Sequence, residues 1–212
     1  MLMLSAAARA PDPGIVRCIA APKDIKMYWK HDGHAISFFD RLKAVDPRVQ
    51  FAMNGGMFMP DCSPVGLYVE NGVQMRPLKR YHDTRYNFGL QPQGVFLIRD
   101  TAAEITTVDA YRPEHVRYAT ESSPILVIGS KINPLLPKSQ SRTVRNGVGI
   151  LPSGKVLFVL SNADVTFQEF AAYFVSQGCV SALYLDGGVS EAYTGGNGPE
   201  YNALGVLIGV VR

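Results

Sequence analysis

The sequence has few cysteines and few charges. Its three cysteines, Cys18, Cys62 and Cys179, lie far apart, so C-x-x-C redox or zinc spacing is absent and at most one disulfide can form. Charged residues make up 18% of the chain, and 21 Lys plus Arg stand against 18 Asp plus Glu, a net charge of +3. That balance is too small and too scattered for a nucleic-acid binder, which gathers basic residues on one face. No run approaches the roughly 20 apolar residues of a membrane span, so no integral membrane segment is expected. The H-E-x-x-H, EF-hand, phosphate-loop and G-x-S-x-G patterns do not occur, and neither a metal nor a cofactor is expected.

What the chain does have is apolar mass and turns. It has 212 residues, 47% of them hydrophobic, with 20 Gly and 14 Pro. That is enough to bury a core and too little for more than one or two domains. At the N-terminus, Ala8-Arg9-Ala10 fits the small-x-small pattern before a signal-peptidase cut, although a basic stretch ahead of it is missing. Residues 1–10 read either as a signal-peptide remnant of an exported, periplasmic or secreted protein or as an ordinary frayed end, and residues 15–212 read as one domain.

The clearest helix starts at Thr166, where Thr166-Phe167-Gln168-Glu169 spells a capping box, and stops before Gly178. Phe167, Phe170, Ala171, Phe174 and Val175 recur at helical spacing and form its apolar face. A second helix is expected over 37–44, capped by Ser37 with Asp40 and buried through Phe38, Phe39 and Leu42. Most other segments read as strands in hairpins: 67–70 with 73–75 across Asn71-Gly72, 95–98 with 105–108, 125–128 with a return near Lys131-Ile132, and 148–151 with 156–160. A last strand runs over 204–211. These elements predict an α+β fold whose mixed, largely antiparallel sheet is built from hairpins, with two main helices packed on it.

Three segments carry polar residues where apolar strands end. Phe51-Ala52-Met53-Asn54 passes into Gly55-Gly56, a junction that lets a ligand approach the backbone beside the Asn54 amide, or that forms a tight turn capped by Asn54 itself. Ala182-Leu183-Tyr184-Leu185-Asp186 passes into Gly187-Gly188-Val189-Ser190-Glu191. A carboxylate so placed is partly desolvated and suited to acid, base or nucleophile chemistry, while an Asx-turn is the structural alternative. Arg145 borders a third apolar run and carries a fork suited to phosphate or carboxylate. Taken singly, both Arg145 and Arg142 read as surface charges. Asn162 lies between a strand end and the capped helix, where polar residues serve as caps or as site lining. His82 in Tyr81-His82-Asp83 reads as a solvated loop histidine, and Glu121 as loop or site.

In order, Asn54-Gly55-Gly56-Met57-Phe58, Pro64-x-Gly66, Arg145-Asn146-Gly147-Val148-Gly149 and Leu185-Asp186-Gly187-Gly188-x-Ser190 resemble the phosphodiester glycosidase family, bacterial single-domain branch. The chain departs from the family pattern at Val189, Asn146 and the Glu121-Ser122-Ser123-Pro124 loop. The resemblance implies a hydrolase that cleaves the glycosidic C1–O bond of a sugar-1-phosphodiester, N-acetylglucosamine being the family's known sugar. Its partner would be a carbohydrate phosphodiester of an envelope glycan or exopolysaccharide. Asp186 would then be the catalytic carboxylate acting on an oxocarbenium-like state, Arg145 would hold the phosphate, and Asn54 and Ser190 would orient the substrate. Gly55, Gly56, Gly187, Gly188, Asn162 and Glu191 complete the expected binding set, and Glu191, Glu121 or Asp83 would be the second acid or base. The competing readings are a non-catalytic glycan-binding domain and a metal-dependent phosphodiesterase.

Overall fold

The computed structural model describes residues 14–195 and 202–212; the proposed signal-peptide remnant lies outside the described residues. The fold is α+β, as expected, and every strand pairing among the described residues is antiparallel. A six-stranded sheet runs Ile15–Ala20, Val156–Ser161, Asn146–Ile150, Ser181–Tyr184, Ile125–Ile128, Lys131–Ile132. A five-stranded sheet runs Val73–Arg76, Tyr68–Glu70, Val116–Ser122, Gly94–Arg99, Ala102–Thr107. A four-stranded sheet runs Ala192–Tyr193, Val49–Asn54, Leu207–Val211, Ile25–Tyr28. One apolar cluster draws on all three sheets, with Phe51 and Ile208 from the third, Tyr68 and Phe96 from the second, and Phe158 and Leu183 from the first. Alternation along each strand sends these side chains to a common interior.

Local chemistry explains the hairpins. Asn71 and Gly72 adopt φ angles of 50° and 82°, the paired left-handed conformations of a type I′ turn, which matches the twist of the strands it joins. The hairpins at 94–107, 125–132 and 146–161 form as the sequence predicts. The strands Ile15–Ala20, Ile25–Tyr28 and Val116–Ser122 do not show in the sequence pattern, since Arg17, Lys26, Arg117 and Glu121 interrupt their apolar runs.

Helix α2 spans Phe167–Ser176, and the Thr166 capping box forms: Glu169 N–H donates to Thr166 Oγ1 at 3.1 Å and Thr166 N–H donates to Glu169 Oε2 at 2.9 Å. Phe167, Phe170, Ala171 and Phe174 are buried, and each phenylalanine contributes about 1.5–3 kcal/mol by leaving water. They lie on the face of the six-stranded sheet that Gly149 leaves bare. A Cβ at Gly149 would stand 2.7 Å from Phe174 Cδ1 and 2.7 Å from Cys179 Sγ.

Helix α1 departs from expectation. It spans Phe39–Val45 with Phe38 at the N-cap and no side-chain cap bond. Ser37 does not cap it, because the Ser37 carbonyl is engaged by the Leu204 N–H at 2.9 Å, which holds that residue in the extended chain before the helix. Phe38 is exposed, while Phe39 and Leu42 are buried.

Candidate active site

Three strand ends converge on one point, held together by two asparagines. Asn146 opens the strand Asn146–Ile150 and is fully buried. Its Nδ2 donates to the Asn54 carbonyl at 2.8 Å, and its Oδ1 accepts the Asp186 N–H at 2.6 Å. Asn54, also fully buried, closes the strand Val49–Asn54 and faces the same turn. Its Nδ2 donates to the Asp186 carbonyl and to Ser190 Oγ, each at 3.3 Å, while its Oδ1 accepts the Glu191 N–H at 3.3 Å. Ser190 Oγ–H donates to the Asp186 carbonyl. Both main-chain polar groups of Asp186 are therefore bonded, and only its carboxyl is left to face a ligand.

That carboxyl looks into a cleft of about 500 Å³, lined by Met57, Phe58, Met59, Val65, Lys79, Tyr81, Tyr86, Asn87 and Phe88. Burial pushes the Asp186 pKa up to about 7, since desolvation penalises the charged form. Among the described residues, no hydrogen-bond donor compensates the carboxylate. The volume falls within the range of small-molecule sites, and aromatic walls with a few polar groups suit a sugar ring.

The glycines let the backbone close around this point. Gly55 N–H donates to the Val206 carbonyl at 2.7 Å and Gly56 N–H to Thr120 Oγ1 at 3.2 Å, and a side chain on Gly56 would collide with Thr120 and the Glu121 carbonyl. Gly187 N–H donates to the Tyr184 hydroxyl at 2.6 Å; Gly188, at φ +84°, donates to the Val144 carbonyl at 3.1 Å. Burial pushes the Tyr184 phenol up to about 12, with the Asp186 charge raising it further and Arg145 opposing.

Arg145 is not the surface charge that a single arginine suggests; it is 2% exposed. Its guanidinium stacks 3.7 Å over the Phe167 ring, its Nε donates to the Val165 carbonyl at 2.8 Å and its Nη2 to the Ser141 carbonyl at 3.3 Å. Among the described residues the buried Nη1 meets no acceptor in hydrogen-bond geometry, although the Tyr184 side chain lies against the guanidinium. Burial lowers the Arg145 pKa, and the group stays cationic because guanidinium titrates far above neutrality. Arg145 lines a second cavity of about 260 Å³ with Ser139, Ser141, Thr143 and Thr84, and Asn87 borders both this cavity and the Asp186 cleft. Arg142 is the solvated loop charge expected, paired with Glu169 at 2.9 Å.

The other expected residues fall elsewhere. Glu191 sits on the Asp186 turn, where its Oε1 accepts from Asn202 at 2.8 Å. Glu121, 1% exposed, is a buried anchor: its Oε2 accepts the Leu67 N–H at 2.7 Å and the Lys79 N–H at 3.0 Å. Desolvation raises its pKa while those donors pull it down. Asp83 is paired with Arg85 at 2.6 Å, which lowers its pKa, and His82 is exposed. Asn162 is exposed in the turn before α2, its N–H donating to the Gly14 carbonyl at 2.7 Å, and it lines neither cavity. No group of three or more His, Cys, Asp or Glu side chains gathers among the described residues, and no helix among them is long and apolar enough to cross a membrane.

Sequence reasoning missed Asn146 as a clamp, although like Asn54 it stands directly before a glycine at the boundary of an apolar strand. It also missed the cleft wall formed by Lys79, Tyr81 and Tyr86, for which no local pattern gives a signal.

Comparisons with known proteins agree with the geometry. The family model described as phosphodiester glycosidase matches residues 47–210. An Escherichia coli protein, the uncharacterized YigE, is 37% identical over 179 residues, covering 81% of this chain and 70% of that one. The catalytic domain of zebrafish N-acetylglucosamine-1-phosphodiester alpha-N-acetylglucosaminidase, auto-inhibited by its pro-peptide, superposes with a TM-score of 0.68 at 13% identity, covering 96% of this chain and 85% of that one. A Burkholderia pseudomallei protein described as exported superposes with a TM-score of 0.62 at 12% identity, covering 93% of this chain and 74% of that one.

Proposed function

Because the chain belongs to the phosphodiester glycosidase family, we propose that it hydrolyses the C1–O bond of a sugar-1-phosphodiester, with Asp186 as the catalytic carboxylate. The observation that carries this reading is the Asp186 carboxyl itself. It is held rigidly through its main chain by Asn54 and Asn146, desolvated, and turned into an aromatic cleft.

In this reading the sugar lies against the Phe58, Tyr81 and Tyr86 wall with C1 facing Asp186. The C1–O bond breaks, its electron pair leaves with the phosphate oxygen, and the ionised carboxylate stabilises or traps the oxocarbenium-like carbon. Water then adds at C1, giving a free reducing sugar and a phosphomonoester. The leaving phosphate is a weak base with a second pKa near ~6, so its protonation matters less than that of an alkoxide. Arg145 holds the phosphate. The support is its place in the lining of a cavity rich in hydroxyl groups, which shares Asn87 with the Asp186 cleft. Asn54 and Ser190 act by fixing the Asp186 turn. Glu121 is engaged by backbone donors, Asp83 by Arg85 and Glu191 by Asn202, and the second acid or base is one of these three.

The domain reading over 15–212 is retained, as its core joins strands from Ile25 to Val210. The substrate context is an envelope glycan or exopolysaccharide outside the cytoplasm, an assignment supported by the signal-peptide pattern and the exported Burkholderia neighbour.

The test is product release from an α-N-acetylglucosamine-1-phosphodiester by wild-type and Asp186→Asn protein, each with and without chelator. Reducing sugar released by wild type, insensitive to chelator and lost in the variant, is the expected result. Sugar phosphate as product would mean P–O cleavage. No product, with equal glycan binding by both proteins, would mean a binding module.

A further inference from the structure

The Asp186 cleft has one other charged side chain in its lining, Lys79. Its main chain is fixed, because the Lys79 N–H donates to the buried Glu121 carboxylate at 3.0 Å, and the same Oε2 accepts from Leu67 at 2.7 Å. The side chain runs from this anchor along an aromatic wall. Its ammonium stands 5.4 Å from the Tyr81 ring centroid, and Tyr81 packs in turn on Phe88 at 6.2 Å and on Tyr86 at 6.4 Å. Among the described residues, Lys79 forms no ion pair, and neither does Asp186. One cleft therefore presents an ammonium and a carboxyl that are not paired with each other, the field of the ammonium falling on the Glu121 carboxylate that anchors its main chain.

The proposed reaction makes a specific demand on that cleft. The phosphoryl group is bonded to the oxygen on C1, so when C1 faces Asp186 the phosphoryl charge lies close to a desolvated carboxylate, and like charges repel strongly there. A cation of the same cleft must offset the repulsion. Arg145 lines the neighbouring cavity and not this cleft, with Nε and Nη2 committed to Val165 and Ser141 and the guanidinium plane stacked on Phe167. We propose that Lys79 binds a phosphoryl oxygen of the substrate within the Asp186 cleft, complementing Arg145 in the adjoining cavity, and so selects anionic sugar phosphodiesters over neutral glycosides. A flexible ammonium on a fixed backbone suits this task, because it follows the phosphate as the C1–O bond lengthens. The inference rests on the glycosidase reading above.

The experiment measures calorimetric binding to Asp186→Asn protein, carrying either Lys79 or Lys79→Gln, of two probes: methyl α-N-acetylglucosaminyl phosphate and its uncharged counterpart, methyl α-N-acetylglucosaminide. KM for the diester is measured in parallel on the corresponding proteins with Asp186 intact. Affinity for the diester should fall about five- to tenfold in Lys79→Gln, in line with loss of one charge-assisted contact at a solvent-facing site, and return in Lys79→Arg. Affinity for the neutral glycoside should not move, and KM should rise by the same factor with kcat nearly constant. Equal weakening for both probes would show a packing role and overturn the proposal. An unchanged diester affinity and KM would overturn it while leaving the glycosidase reading intact. A diester that neither binds Asp186→Asn nor is turned over by wild type would remove both.

Discussion

The Asn146 side chain ties two strand ends together, its Oδ1 accepting the Asp186 N–H at 2.6 Å while its Nδ2 donates to the Asn54 carbonyl at 2.8 Å. One amide thus fixes the position of the Asp186 main chain relative to the Gly55-Gly56 turn across the cleft. Asn146→Ala leaves a buried donor and a buried acceptor unpaired. We expect a loss of about 2–3 kcal/mol in chemical denaturation, from the cost of unsatisfied buried groups, and a fall in kcat of tenfold or more as the carboxylate loses its setting.

Asp186→Asn separates activity from stability. Turnover should fall by about three orders of magnitude or more, as expected when a carboxylate acting on the reaction centre is neutralised. The folded protein should become more stable at pH 8 by about 1–3 kcal/mol, because the variant no longer holds a desolvated charge. Equal stability of the two proteins at pH 8 would argue against the desolvated carboxylate.

The pH dependence follows from the same group. Its pKa of about 7 in the folded protein lies above the ordinary carboxyl value, so between pH ~4 and 7 the unfolded chain releases a proton that the folded one retains. Its contribution to stability is fully present below pH ~4 and is lost as pH rises through 7. Activity runs the other way if the ionised carboxylate acts: kcat/KM should rise toward a plateau above pH 7, and a pH–rate profile checks this.

Asp46 behaves oppositely. It is buried, and it accepts from Arg48, from Lys26 at 2.8 Å and from the Tyr28 hydroxyl at 3.0 Å, which hold its pKa well below the usual carboxylate range. Its contribution is present above pH ~4 and is lost as the carboxylate protonates in acid. Asp46→Ala should cost about 2 kcal/mol at pH 7 and much less at pH 2, measured by denaturant titration at both pH values.

Gly149→Ala tests the seating of α2. The added methyl would meet the Phe174 ring and Cys179 Sγ, both 2.7 Å away in the present packing. Overpacking of this kind costs about 1–3 kcal/mol, and thermal unfolding should show it without a change in KM.

Some of this arrangement was legible in the sequence because the information is local. The Thr166 capping box, the Asn71-Gly72 turn and the apolar runs ending at Asn54 and Asp186 each depend on neighbours within a few positions. Ser37 shows the limit of such reasoning: it has the spacing of a cap, yet its carbonyl bonds to Leu204, a partner 167 positions away along the chain. Arg145 shows it again. Alone it reads as exposed, but the aromatic rings that enclose it come from Phe167 at the start of α2 and from Tyr184 on another strand.

The sequence by itself determined the fold class, the seated helix, the family resemblance and the delivery of Asn54 and Asp186 to strand ends, since hydrophobic periodicity, capping and turn chemistry act over short stretches of chain. Only the tertiary structure decided which polar groups are left for chemistry. It turns Asn162 to solvent, engages Glu121 with Leu67 and Lys79, assigns Asn54 and Asn146 to the Asp186 main chain, and leaves the Asp186 carboxyl without a hydrogen-bond donor among the described residues. The reason is that burial and hydrogen-bond satisfaction depend on residues brought together from opposite ends of the chain, and those two quantities set which carboxylate is desolvated.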